Sequence, residues 1–94
     1  MPSAIEGDAG LVTLRYWAAA REAAGVAQER LGPVRTLADL LAAAVASPGR
    51  ERLAVVLDRC SYLVDEDPVG LRDRADVVLR SGAVVEALPP FAGG

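Results

Sequence analysis

The spacing of apolar positions changes along this chain, and each change marks an element. In "LVTLRYW", Val12, Leu14 and Tyr16 alternate with Thr13 and Arg15, the two-residue period of a half-buried strand. "AAAREAAG" follows and reads as a short helical turn closed by Gly25. "VAQERLGPV" is extended again, with Val26 and Leu31 expected to point inward. The two strands are then partners across a long, hairpin-like connection.

The clearest helix begins at Thr36, an N-cap residue with Asp39 three positions on, a weak form of the capping box. Leu37, Leu40, Leu41, Ala44 and Val45 fall at i, i+3, i+4, i+7 and i+8, one stripe turned to a core. Ser47-Pro48-Gly49 stops this helix. "RERLAVVLDR" reads as a second, shorter helix through Leu53, Val56 and Leu57, with a strand through its "AVVL" centre as the alternative. "CSYLVD" reads as a strand, and Asp65-Glu66-Asp67 before Pro68 as a solvated turn.

"ADVVLRSGAVVEALPP" holds two apolar runs divided by Ser81-Gly82. In the second run Val85 and Ala87 share one face, and Val84, Glu86 and Leu88 share the other. Pro89 and Pro90 lack a backbone N–H and end the pairing. Segregated strands and one main helix predict an α+β fold, with the helix lying across one face of a sheet. The first and last strands are expected to pair at its centre. Residues 11–88 then form the domain, residues 1–10 a flexible leader and residues 89–94 an extended C-terminal arm.

Composition narrows the chemistry. A chain of 94 residues is one small domain, and 52% apolar residues with only 4% aromatic predict a core of Leu, Val and Ala. A net charge of −3 argues against an electrostatic nucleic-acid binder. No apolar run approaches the ~20 residues that span a bilayer. "MPSAIEGDAG" lacks the basic and apolar regions of a signal peptide, so a cytoplasmic location is expected, and the single Cys60 fits a chain without an internal disulfide. There is no His and no Lys; all ten cations are Arg. That removes His-based nucleophile systems, imidazole metal ligands, the P-loop lysine and Schiff-base chemistry. One Cys makes neither a CxxC pair nor a Cys-rich zinc site, and no metal site is expected.

What remains is the end, "LPPFAGG". Pro89 and Pro90 favour a stiff, extended exit from the domain. Ala92, Gly93 and Gly94 carry almost no side chain, so this segment fits a channel that only bare backbone enters. A C-terminal carboxylate, ionised at neutral pH, becomes an acyl donor once it is joined to AMP. The chain has no ATP-binding loop, so a partner would have to carry out that activation.

"RYWAAAREAAG", "TLADLLAAA" and "LRSGAVVEALPPFAGG" together resemble the ubiquitin-like sulfur-carrier family, and most closely its molybdopterin synthase small-subunit branch. The resemblance runs from Leu11 to Gly94 and implies a β-grasp fold. It implies that Gly94, preceded by Gly93, is adenylated by an E1-like activating enzyme and converted to a thiocarboxylate. ATP would be used by that enzyme, and no cofactor would be bound by the chain itself. The arm would enter a large synthase subunit, in a heterotetramer, and deliver sulfur to cyclic pyranopterin monophosphate. Related carriers serve thiamine or cysteine synthesis, and related modifiers tag proteins; both stand as alternatives. Family members commonly carry Gly-Asp before the last strand, where this chain has Gly82-Ala83.

The partner surface expected from this reading comprises Pro89, Pro90, Phe91 and Ala92, with Val84 and Leu88 on the less buried face of the last strand. Phe91 has two readings, an anchor in a partner pocket or a side chain folded back on its own sheet. Cys60 reads as a small core residue, Trp17 as structural, and Arg21 and Glu22 as solvated helix charges.

Overall fold

The alternation in β1 (Val12–Tyr16) is realised in full. Val12, Leu14 and Tyr16 are at most 1% exposed, while Thr13 and Arg15 lie on the opposite, partly exposed face. This computed structural model describes residues 10–90; the leader, apart from Gly10, and residues 91–94 lie outside the described residues. Gly10 itself is joined to the domain: its N–H donates to Ser81 Oγ at 3.2 Å, and its carbonyl accepts from the Val34 N–H at 2.9 Å. Its φ is +76°, and a Cβ there would lie 2.7 Å from Pro33 Cβ, so the close approach requires glycine.

α1 (Ala18–Ala24) follows β1 directly and stops at Gly25 in the left-handed conformation. The chain then returns as β2 (Gln28–Leu31), antiparallel to β1. Val26 does not point inward as its pattern suggested. It falls in the bend between Gly25 and β2 and is 43% exposed, because the left-handed turn delays the strand until Gln28. Leu31 is partly buried and packs against the core.

α2 (Leu37–Ala44) has the expected reciprocal cap. The Asp39 N–H donates to Thr36 Oγ1 at 3.1 Å, and the Thr36 N–H donates to Asp39 Oδ2 at 3.3 Å. Its stripe of Leu37, Leu40, Leu41 and Ala44 is buried. The ambiguous "AVVL" segment is helical: α3 (Glu51–Arg59) buries Leu53 and Leu57, one turn apart. The helical layer thus holds two helices of similar length and the shorter α1, rather than one main helix. β3 (Ser61–Val64), the two-residue β4 (Asp67–Pro68), a 3-10 turn at Arg74–Asp76 and β5 (Val84–Leu88) complete the order.

The five strands form one mixed sheet in the order β2-β1-β5-β3-β4. β5 lies at its centre, parallel to β1 and antiparallel to β3, with Leu14 opposite Val85 and Tyr62 opposite Ala87. The helices cover one face and share a single core with Val12, Leu14, Tyr16, Tyr62, Val85 and Ala87. This is the β-grasp arrangement, and the first and last strands pair at its centre as the pattern predicts.

A polar cluster closes the β2 side. The Tyr16 hydroxyl donates to Glu29 Oε2 at 2.5 Å, and Arg50 Nη1 lies 2.6 Å from the same oxygen while also donating to the Ala44 carbonyl at 2.7 Å. One guanidinium therefore joins β2 to the end of α2 and the start of α3. Burial and the adjacent Glu29 carboxylate push the Tyr16 hydroxyl well above the ordinary phenol value.

Candidate functional site

The last strand carries the candidate site because its two faces and its exit do different things. Val85 and Ala87 are fully buried against the helices and fix β5 in place. Val84, Glu86 and Leu88 point to the outer sheet face and are partly exposed, the less buried face read from the sequence. Pro89 is half-buried and Pro90 exposed, so the chain emerges from the middle of the sheet rather than from an edge. Phe91, Ala92, Gly93 and Gly94 lie outside the described residues.

The outer face holds a residue that the sequence reading set aside. Trp17 is 43% exposed; its indole Nε1–H donates to Glu86 Oε1 at 3.0 Å, and its backbone N–H donates to the Ala87 carbonyl at 3.3 Å. The indole therefore sits beside the end of β5, on the face that presents Leu88, and belongs to the candidate surface rather than to the core. Its place one residue beyond the strict alternation of β1, with the same parity as Thr13 and Arg15, was the available signal. At the other end of β5 a polar cleft of about 310 Å³ is lined by Arg15, Asp65, Glu66, Arg80, Val84 and Glu86. On the helical side, Pro89 and Pro90 form one wall of an apolar groove of about 200 Å³, with Ala19, Val55, Val56 and Arg59.

The turn into β5 departs from the family pattern without losing its closure. Ala83 is fully buried, and the N–H of Val84 is taken by the Asp65 carboxylate at 3.0 Å. The turn is confined to Asp65 and Glu66, since Asp67 opens β4, and Asp65 supplies from the end of the neighbouring strand a hydrogen bond to the start of the last strand. Asp65 also pairs with Arg80 at 3.2 Å on the surface.

Cys60 is a core residue. It is 7% exposed, and its thiol donates to the Val56 carbonyl at 3.3 Å. Burial pushes its pKa up to about 11, against the opposing effects of Tyr62 and Arg74, so it is a neutral thiol near pH 7. Arg21 and Glu22 are exposed on α1, as read from the sequence. Among the described residues no group of His, Cys, Asp and Glu could hold a metal ion, and no helix is long and apolar enough to cross a membrane.

The sequence model of the ThiS family matches residues 14–94, which takes in β1 from Leu14 onward, all three helices, β5 and the Gly93-Gly94 end. The chain belongs to the ThiS family. No curated protein sequence matches it significantly. Solved structures match it over nearly its whole length. The small archaeal modifier protein 1 of Methanosarcina acetivorans aligns with a TM-score of 0.75 at 19% identity, covering 89% of this chain and 96% of that one. Urm1 of Trypanosoma brucei gives 0.68 at 19%, covering 93% and 98%. A complex of subunits 1 and 2 of the molybdopterin-converting factor of Helicobacter pylori gives 0.62 at 21%, covering 89% and 99%. At these identities the likeness is one of fold. The chain is thus a ThiS-family protein with the ubiquitin-like β-grasp fold of sulfur carriers and their modifier relatives.

Proposed function

We propose that this ThiS-family protein is the sulfur-carrying small subunit of a molybdopterin synthase, acting in the cytoplasm, with the Gly94 carboxyl as the group that carries the sulfur. The observation that carries the reading is the family match running through Gly93-Gly94 beyond a β5 locked at the sheet centre. A rigid domain then presents an arm whose last residues pass where side chains do not.

The chemistry divides between chains. An E1-like partner uses ATP: the Gly94 carboxylate attacks the α-phosphorus, pyrophosphate leaves, and an acyl-adenylate forms. Hydrosulfide then attacks the acyl carbon and displaces AMP, leaving a thiocarboxylate. In the large synthase subunit that sulfur passes to cyclic pyranopterin monophosphate, and water returns the carboxylate. Val84, Leu88 and Trp17 would meet partners on the outer face, while Pro89 to Ala92 form the arm. The complex of two converting-factor subunits in Helicobacter pylori supports a large-subunit partner.

The test is the intact mass of the protein coexpressed with its E1-like enzyme. One oxygen at Gly94 should be replaced by sulfur, and the loaded protein should yield molybdopterin with a large subunit. A terminus that stays a plain carboxylate in the presence of ATP and activating enzyme would overturn the reading. A second reading, protein modification, is favoured by the likeness to a small archaeal modifier protein. It predicts instead an amide between Gly94 and a lysine of another protein, visible as a Gly-Gly remnant after digestion. Carriers for thiamine or cysteine synthesis would copurify with those synthases instead.

A further inference from the structure

Gly94 is activated in the function proposed above, and on that reading we propose that the surface around the arm's exit is kept free of acyl acceptors, with Arg59 the deciding residue. The activated carboxyl then transfers only to groups that a partner brings.

Reach makes the question a real one. Arg59 ends α3, is exposed, and lines one groove with both Pro89 and Pro90. The four residues that follow Pro90 span at most about 14 Å, so the groove wall falls inside the span of the chain end. A short flexible connection gives two groups an effective concentration in the millimolar range. An amine on this wall would therefore compete with any partner for the acyl group.

Arg59 does not compete. A guanidinium stays protonated at physiological pH and has no free lone pair with which to attack an acyl carbon, whereas a lysine exposes a fraction of free amine. Helix electrostatics do not account for the choice. A cation in the last turn of α3 favours the helix C-terminus, and lysine would serve equally. Nor does a bidentate partner account for it, since among the described residues no carboxylate pairs with Arg59.

The remaining nucleophiles are withheld in other ways. The 94 residues hold no Lys and no His. The one thiol, Cys60, follows Arg59 in sequence yet is turned inward, where it donates to the Val56 carbonyl. Tyr16 and Tyr62 are at most 4% exposed, and their hydroxyls donate within the fold, to Glu29 and to the Leu57 carbonyl at 2.6 Å. Burial raises both phenols and keeps them protonated. Serine and threonine hydroxyls need a neighbouring base to attack, and the chain has no imidazole or amine side chain to act as one.

The experiment gives the full-length chain its activated end chemically, as a C-terminal thioester of a small thiol. No activating enzyme is needed, so failure here is separate from failure of the proposed function. Attack by an amine forms the amide, expels the thiol and releases a proton to water; attack by water leaves the acid. Intact mass separates the two, because a ring closed by an amide is lighter by one water than the acid. Wild type should only hydrolyse. Arg59→Lys should close a ring from Gly94 to the new amine, at a rate independent of protein concentration. Arg80→Lys puts the amine in the cleft at the start of β5, roughly 20 Å from Pro90, and should react about tenfold more slowly or less. Circular dichroism should be the same for all three chains. A wild-type chain that closes a ring or joins a second copy would overturn the proposal. So would equal rates in Arg59→Lys and Arg80→Lys, or an Arg59→Lys chain that only hydrolyses.

Discussion

Asp65 and Val84 hold each other by two hydrogen bonds across the sheet: the Asp65 N–H donates to the Val84 carbonyl at 2.8 Å, and the Val84 N–H donates to Asp65 Oδ1 at 3.0 Å. The pair closes the β3–β5 ladder where the last strand begins. Asp65 has a φ of +49°, a left-handed conformation that Asp and Asn tolerate better than most residues. Asp65→Ala should lower stability by about 1–2 kcal/mol, through a lost bond to an ionised acceptor and a worse backbone fit. Asp65→Asn, which keeps an acceptor and the tolerance, should lose less. The urea midpoint at unchanged m-value is the measurement. The Arg80 ion pair is exposed, so Arg80→Ala should move that midpoint little.

Glu29 sets an acid limit on the fold. Its burial disfavours the charged carboxylate, but the hydrogen bonds from Arg50 and Tyr16 outweigh that and hold its pKa below the ordinary glutamate value. A folded pKa below the unfolded one gives stability that is present above the unfolded value, about 4.3, and lost as pH falls through the folded value. Glu29→Gln should therefore destabilise the protein by about 1–2 kcal/mol at neutral pH. The gap to wild type should narrow below about pH 4. Thermal denaturation across pH 3–7 reads both effects.

Cys60 should resist thiol reagents. With its thiol pKa at about 11 and 7% exposure, maleimide or disulfide exchange at pH 7 should proceed far more slowly on native protein than on urea-unfolded protein. Equal rates in the two states would place the thiol outside the core. Under the proposed function, Cys60→Ser should leave sulfur loading at Gly94 intact.

The outer sheet face should answer to Leu88→Arg and Trp17→Ala. Both residues are partly exposed, so the fold should persist, while affinity for a large synthase subunit should fall about tenfold or more if they lie near the centre of the interface. Calorimetric titration against that subunit, with circular dichroism as the control for folding, provides the check.

Much of this was legible in the chain itself. The alternation of Val12, Leu14 and Tyr16, the cap at Thr36 and Asp39, and the inward Val85 and Ala87 are local patterns, and local patterns survive folding when tertiary packing agrees with them. The segment around Val55 and Val56 was ambiguous because a short apolar run fits either period; burial of Leu53 and Leu57 one turn apart decided it. Val26 misled because an apolar residue just past a helix stop reads like the start of a strand. The use of Asp65 was invisible for a different reason. Its partner lies nineteen residues away in sequence, and only the strand pairing brings the two together. The outward face of Trp17 was readable from its parity with Thr13 and Arg15, but its bond to Glu86 needed the pairing of β1 with β5.

The central position of β5 has a mechanical meaning. An edge strand pulled from its end peels away one hydrogen bond at a time, whereas β5 is bonded on both sides, to β1 and to β3. Tension applied along the proline arm therefore loads two ladders in shear, with many bonds sharing the force at once. Under the proposed function, a partner that grips the arm tightly and later lets go can do so repeatedly without unravelling the domain.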